Sequence, residues 1–360
     1  MKKLYSFLLL ASVLLLCSCG KETPAAEEQP AAETRHISSI QYYNKTGKMQ
    51  REDLYEYDSS GQGQVTAQIV YTYNDLGKLT NIKKEAGGAG YDKDIESYFY
   101  MGENCTQKII FNENGSSSEA YYWKYYSNGT VKSETYTRML TPSSKIEEVK
   151  EYDEASVLTR STETSSEGYR YTDYIYSEET ALLEQEDTYF SLTGKKADYE
   201  LESTLQYFYN EAQRLIKTIR TDPDGTVIEC TIYEYDEASN LISQKTYSSA
   251  DISDASLILG INTEYDALGE VIFTAETDNQ GAGQSVEYRY DALGNITRQI
   301  DRTFGETESE IITSTEYNSH NNPIKQTVST NGSLPLTQFE CEYTYYDSGS
   351  IKTCTYYSVY

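Results

Sequence analysis

The chain reads as an all-β repeat protein: an antiparallel meander of about two dozen short strands built from tandem hairpins. Three observations carry this reading. The phrase Tyr-x-Tyr-Asp/Asn, two free residues, Gly, one free residue and an aliphatic recurs along the sequence. Weaker turn signals fall between its copies, and helix signals are nearly absent. The phrase is cleanest at Tyr288-Arg289-Tyr290-Asp291-Ala292-Leu293-Gly294-Asn295-Ile296, and it recurs from Tyr71 to Leu79 and from Thr263 to Val271. Eroded copies start at Tyr55, Tyr207, Tyr233, Glu316 and Tyr343.

Each position of the phrase has a physical role. Tyrosines two residues apart project from one face of a strand, and the residue between them projects from the other. Asp or Asn opens a turn by accepting backbone N–H bonds, and Gly closes it at a position that takes positive φ. The aliphatic residue begins the return strand, which completes a hairpin. Other turns are signalled at Asn112-Glu113-Asn114-Gly115, Asp222-Pro223-Asp224-Gly225, Asp278-Asn279-Gln280-Gly281 and Asn331-Gly332. Counted together, turns come about every 14 residues and the strong phrase about every 27. A short helical or bulged insertion is expected between Ile252 and Ile261, where the spacing stretches and Asp251 and Asp254 can cap. One aromatic face must be covered and the sheet must twist, so the meander is expected to curl into an open shell or superhelical sheet. A β-propeller is the alternative, although its four-stranded blades would need about 55 residues each, twice the hairpin repeat seen here.

Residues 1–18 are expected to be a lipoprotein signal peptide, with Lys2 and Lys3 preceding an apolar run from Leu4 to Leu16. Leu16-Cys17-Ser18-Cys19-Gly20 resembles a bacterial lipobox in which Cys19 becomes the lipid-modified first residue; Cys17 would place bulky Leu16 next to the cut. Residues 19–38 then read as the lipidated cysteine and a disordered Ala/Glu/Pro tether, and residues 39–360 as the repeat domain. The formal net charge is −27, from 30 basic and 57 acidic residues, and cleavage would remove two of the lysines. Such a surface excludes nucleic acid and electrostatic docking on anionic lipid. Anchoring is therefore left to the N-terminal lipid, on the outer face of the cell membrane or on the outer membrane of a two-membrane host.

The copies at Tyr73, Tyr265 and Tyr290, within a pattern covering most of residues 40–357, resemble the Tyr-Asp (YD) or Rhs repeats of bacterial surface proteins and toxin shells, related to the extracellular shell of teneurins. The resemblance implies long antiparallel strands spiralling into a shell, with carbohydrate binding suggested for some members. Against the toxin members, the chain is expected to be too short for a closed shell and to act without a C-terminal payload or the self-cleaving end module. Asp222-Pro223-Asp224-Gly225 sits mid-chain and reads as a turn.

Catalytic residues and a metal site are not expected. His36 and His320 are the only histidines, so a Ser or Cys nucleophile lacks a placed base and a metal lacks imidazole ligands. No cofactor is implied. Ligand stacking is expected instead where the phrase breaks down, at Tyr121, Tyr122, Trp123, Tyr125 and Tyr126, which include the only tryptophan. Cys341 and Cys354 flank the last turn symmetrically, so a disulfide across the final hairpin is a candidate, against two buried thiols. The leading functional reading is a cell-surface lipoprotein with a β-repeat binding or scaffold module for glycans or another surface protein. The alternatives are a structural or degenerate relative of a toxin shell without a payload, and a hydrolase working with two carboxylates.

Overall fold

The structure is a computed structural model that describes residues 35–359 except 59, 87–91, 142–143, 251, 255 and 306. The expected signal peptide, Cys19 and most of the expected tether lie outside the described residues. The described residues form twenty-four antiparallel strands, β1 to β24 in chain order, which each pair with their sequence neighbours. β1 (Arg35–Tyr43) begins within the stretch expected to be tether. Among the described residues the one helical element is a 3₁₀ turn, Lys196–Asp198. The expected insertion at Ile252 to Ile261 is a loop that gives way to β17 (Leu257–Tyr265).

The hairpin between β19 (Gly283–Tyr290) and β20 (Ile296–Phe304) shows how the phrase works. The Asp291 N–H donates to the Asn295 carbonyl at 2.9 Å and the Gly294 N–H donates to the Asp291 carbonyl at 3.1 Å. One Asp291 carboxylate oxygen accepts the N–H groups of Leu293 and Asn295, at 2.8 and 3.0 Å. Gly294 has φ 80°, a conformation that costs other L-residues about 1–2 kcal/mol. Pairing then passes from Tyr290 opposite Ile296 to Arg289 opposite Arg298, which leaves Thr297 as the extra residue of a bulge. The Thr297 hydroxyl donates to the Arg289 carbonyl at 3.1 Å, and Thr80, Thr106 and Thr159 do the same in their own hairpins.

The second tyrosine of the phrase joins one hairpin to the one before. Tyr290 donates its hydroxyl to the carbonyl of Val271, Tyr265 to that of Leu241, Tyr235 to that of Leu215, and Tyr209 to that of Leu183, at 2.7 to 3.0 Å. Each acceptor is the residue that opens the return strand of the preceding copy. The tyrosine and the aliphatic residue of the phrase are thus halves of one contact, repeated between successive hairpins, worth about 1 kcal/mol each.

The sheet closes. β1 pairs with β24 (Ile351–Val359) from Arg35 opposite Val359 to Tyr42 opposite Thr353, and β1 pairs with β2 (Met49–Tyr57) on its other side. This corrects the expected open shell and rules out the propeller, since all strands belong to one continuous sheet. Closure removes both edges, whose rows of unpaired N–H and C=O groups would otherwise face solvent or another chain. Expecting the chain to be too short to close was mistaken because barrels close from about eight strands upward, and 24 strands give a wall about 115 Å around. The wall is one layer thick. Its most enclosed side chains are small: Cys230, Cys354 and Ser191. The phrase tyrosines are half-buried on one face, while the residues between them, such as Glu234, Glu264 and Arg289, are exposed on the other.

Candidate binding groove on the tyrosine face

A groove crosses the tyrosine face from β7 (Ser117–Tyr125) through β8 (Val131–Thr141) and β9 (Ser144–Tyr152) to β10 (Leu158–Ser165), β11 (Gly168–Tyr176) and β12 (Leu183–Ser191). Register lines its residues up. Tyr121 lies opposite Tyr136, which lies opposite Glu148; Trp123 lies opposite Glu134, which lies opposite Lys150. The second row continues from Lys150 to Ser161, Thr172 and Thr188. Two concavities, of about 420 Å³ at the aromatic end and 310 Å³ at the hydroxyl end, share Glu148 and Lys150.

The aromatic end is fixed by packing and hydrogen bonds. Tyr121 and Trp123 are nearly parallel, 10° apart with ring centres at 6.0 Å, and Tyr136 tilts 40° against Tyr121 at 4.9 Å. The Trp123 indole N–H donates to Glu134 at 3.2 Å, and the Tyr152 hydroxyl donates to the other oxygen of the same carboxylate at 3.0 Å. Tyr121 donates to Glu119 at 3.1 Å. Partial burial, then the adjoining carboxylate, pushes the Tyr121 and Tyr152 hydroxyls up to about 12, so both remain donors at neutral pH. At the other end Ser161 and Tyr174 hydroxyls lie 3.1 Å apart, and those of Thr172 and Thr188 lie 3.0 Å apart.

Of the five aromatic residues singled out from sequence, Tyr121 and Trp123 line the groove. Tyr122 projects from the opposite face and is 42% exposed. Tyr125 donates to the Cys105 carbonyl at 2.6 Å, and Tyr126 sits in the following turn and donates to the Tyr152 carbonyl at 2.7 Å, so both hydroxyls are committed to the wall. Tyr136 and Glu134 complete the aromatic end and were missed. Pairing the strands across the Tyr126 to Thr130 turn would have found them, because the bulge after Val131 puts residues 134 and 136 on the face of Tyr121 and Trp123.

The remaining candidates lie elsewhere. Cys341 is opposite Tyr356 and Cys354 is opposite Tyr343, so the two cysteines are diagonal neighbours rather than directly facing, and both are buried free thiols. His36 packs edge-on against Tyr57 with ring centres 4.2 Å apart, and His320 stacks on Tyr345 at 4.1 Å. The Asp222 and Asp224 carboxylates accept backbone N–H groups of their own turn, which accounts for this acidic pair without an ion.

Residues 203–251, spanning most of β13 (Glu200–Tyr209) to β16 (Leu241–Tyr247), match the family described as RHS Repeat. No curated protein matches the chain. Among solved structures, the chain is similar to one described as TcdB2-TccC3-Cdc42, at 15% identity over 86% of this chain and 17% of that one, with a TM-score of 0.42. A Photorhabdus luminescens Tc holotoxin pore is similar at 14% identity over 85% of this chain and 19% of that one, with a TM-score of 0.35. A porin-like protein from Bacteroides uniformis ATCC 8492 is similar at 12% identity over 90% of this chain and 96% of that one, with a TM-score of 0.25. The chain spans less than a fifth of the length of these two toxin-complex chains.

Proposed function

We propose that the protein is a cell-surface lipoprotein, anchored through Cys19, whose RHS-type barrel is a non-enzymatic scaffold that binds a neutral glycan in the groove of β7 to β12. The carrying observation is the row of Tyr121, Trp123 and Tyr136 beside a row of carboxylates and hydroxyls. Flat aromatic rings take the C–H faces of a sugar, and Glu134, Glu148, Ser161 and Thr172 offer partners for its hydroxyls. A net charge of −27 disfavours acidic polysaccharides, so the glycan is neutral. Screening the mature protein against a glycan array tests this reading. Binding to neutral glycans that falls at least tenfold in Trp123→Ala, with melting unchanged, is expected; binding that Trp123→Ala and Tyr136→Ala leave intact would remove the groove from consideration.

The second reading is a structural shell that binds no glycan. It is favoured by the RHS segment itself, where the hydroxyls of Tyr209 and Tyr235 are both committed to the wall. Absence of retention on every glycan tested would select it.

A further inference from the structure

We propose that Asn331 is a self-modifying site, at which the Gly332 backbone nitrogen attacks the Asn331 side-chain amide and converts the residue to aspartate and isoaspartate. The site lies in the turn between β22 (Pro323–Thr330) and β23 (Leu336–Tyr345), away from the glycan groove. The chain holds three Asn-Gly pairs in nearly identical sequence: Asn114-Gly115-Ser116, Asn128-Gly129-Thr130 and Asn331-Gly332-Ser333. Glycine has no side chain to shield its nitrogen, so each pair is open to this attack by sequence alone. The fold then decides which pair reacts.

Both reacting groups are held at two of the pairs and looser at the third. Asn114 Oδ1 accepts the Ser116 N–H and hydroxyl at 2.9 and 2.6 Å, and Asn128 Oδ1 accepts the Thr130 N–H and hydroxyl at 3.0 and 2.7 Å. Asn331 Oδ1 accepts a single donor, the Glu310 N–H at 2.7 Å. The nucleophiles differ in the same direction. The Gly115 N–H donates to the Asn112 carbonyl at 2.9 Å and the Gly129 N–H to the Tyr126 carbonyl at 3.0 Å. In the Asn331 turn the flanking residues carry the bonds: the Ser333 N–H donates to the Thr330 carbonyl and the Thr330 N–H to the Ser333 hydroxyl, both at 3.0 Å. The Gly332 N–H has no partner among the described residues. Asn331 to Leu336 are exposed, so water and hydroxide reach the turn.

The step balances with water as the only co-reactant. Hydroxide takes the Gly332 N–H proton, a bond forms from that nitrogen to Asn331 Cγ, and the Cγ–Nδ2 bond breaks with release of ammonia, leaving a succinimide. Water then adds to one of the two ring carbonyls and breaks its bond to nitrogen, giving aspartate or isoaspartate; no electron is transferred. Asn331 also donates its own N–H to the Glu310 carbonyl at 2.8 Å, so its backbone and side chain together extend the pairing of β21 (Ser309–Tyr317) with β22. Aspartate keeps an oxygen for the Glu310 N–H. Isoaspartate inserts a methylene into the backbone and breaks this reciprocal pair.

The test is incubation of the folded, mature protein in mildly alkaline buffer, with peptide mass spectrometry reading the replacement of amide by acid at each pair and electron-transfer fragmentation separating aspartate from isoaspartate. Because a hydrogen bond must first open at Gly115 and Gly129, Asn331 is expected to convert about fivefold faster than Asn114 and Asn128. In denaturant the three rates should converge. Gly332→Ala, whose added methyl meets no atom within 4 Å, is expected to slow Asn331 alone. The comparison of the three pairs in one wild-type sample does not depend on that variant folding. Conversion of Asn331 no faster than Asn114 and Asn128 in the folded protein would overturn the proposal, as would a lead of Asn331 that persists in denaturant.

Discussion

Two joins between hairpins, one inside the wall and one at its closure, are built alike although they bridge very different lengths of chain. In both, a tyrosine replaces the Asp or Asn of the phrase and reaches forward: Tyr126 donates to the Tyr152 carbonyl, 26 residues on, and Tyr346 donates to the Tyr43 carbonyl, 303 residues away. A second contact is duplicated too. The Thr130 hydroxyl lies 3.3 Å from the Glu154 carbonyl, and the Ser350 hydroxyl lies 3.2 Å from the Lys45 carbonyl. The joins differ in entropy. Closing the longer loop costs about 2 kcal/mol more, from the logarithm of the length ratio. At the seam Arg35 adds ion pairs with Glu340 and Glu342, at 3.0 and 3.4 Å, and lies 4.1 Å from the centre of the Tyr357 ring. Closure therefore repeats the internal join, and the exposed Arg35 contacts recover only a small part of the cost of its longer loop.

The largest effect expected is alkaline unfolding that strikes both joins. The Tyr43 hydroxyl at the seam and the Tyr152 hydroxyl at the internal join are pushed up to about 12, chiefly by burial. A tyrosine whose folded value is raised contributes its full stability below its unfolded value, about 10, and loses it as pH climbs toward the folded value. Circular dichroism across that window should show the sheet lost between about pH 10 and 12. Retention of the sheet above this range would mean the rings ionise in place.

Proline substitution separates a closed wall from an edge. Successive residues of a strand direct their N–H groups to opposite neighbours, so Ile40→Pro and Gln41→Pro each remove a β1 bond, one toward β2 and one toward β24. In a closed sheet both should cost about 3 kcal/mol in denaturant unfolding, whereas an edge would tolerate one of them. Tyr126→Phe and Tyr346→Phe are expected to cost about 1 kcal/mol each, and a clear inequality would show that the joins are not equivalent. Arg35→Ala should have the smallest effect, about 0.5 kcal/mol, and the difference should vanish in high salt because the guanidinium is partly exposed.

The sequence made the strand number and turns legible because each needs a specific residue type: Gly294 for its φ, Asp291 for the orphan N–H groups, Tyr290 for the face. Closure was hidden because it depends on pairing between Arg35 and Val359, which no local pattern records. The tyrosine-to-aliphatic join was visible as a repeat but not as a contact, since it spans 24 residues from Leu241 to Tyr265. In the groove, Trp123 stood out because it breaks the phrase. Tyr136 did not, because the bulge after Val131 shifts the alternation that would place it on that face.

Hydrogen exchange of β1 and β24, set against β15 (Val227–Tyr235) and β16 in the interior of the sheet, tests closure most directly. The closed wall predicts that peptides covering Arg35–Tyr43 and Ile351–Val359 are protected as strongly as those covering Val227–Tyr235 and Leu241–Tyr247. Exchange of β1 and β24 at the rate of unprotected chain, with β15 and β16 still protected, would contradict it.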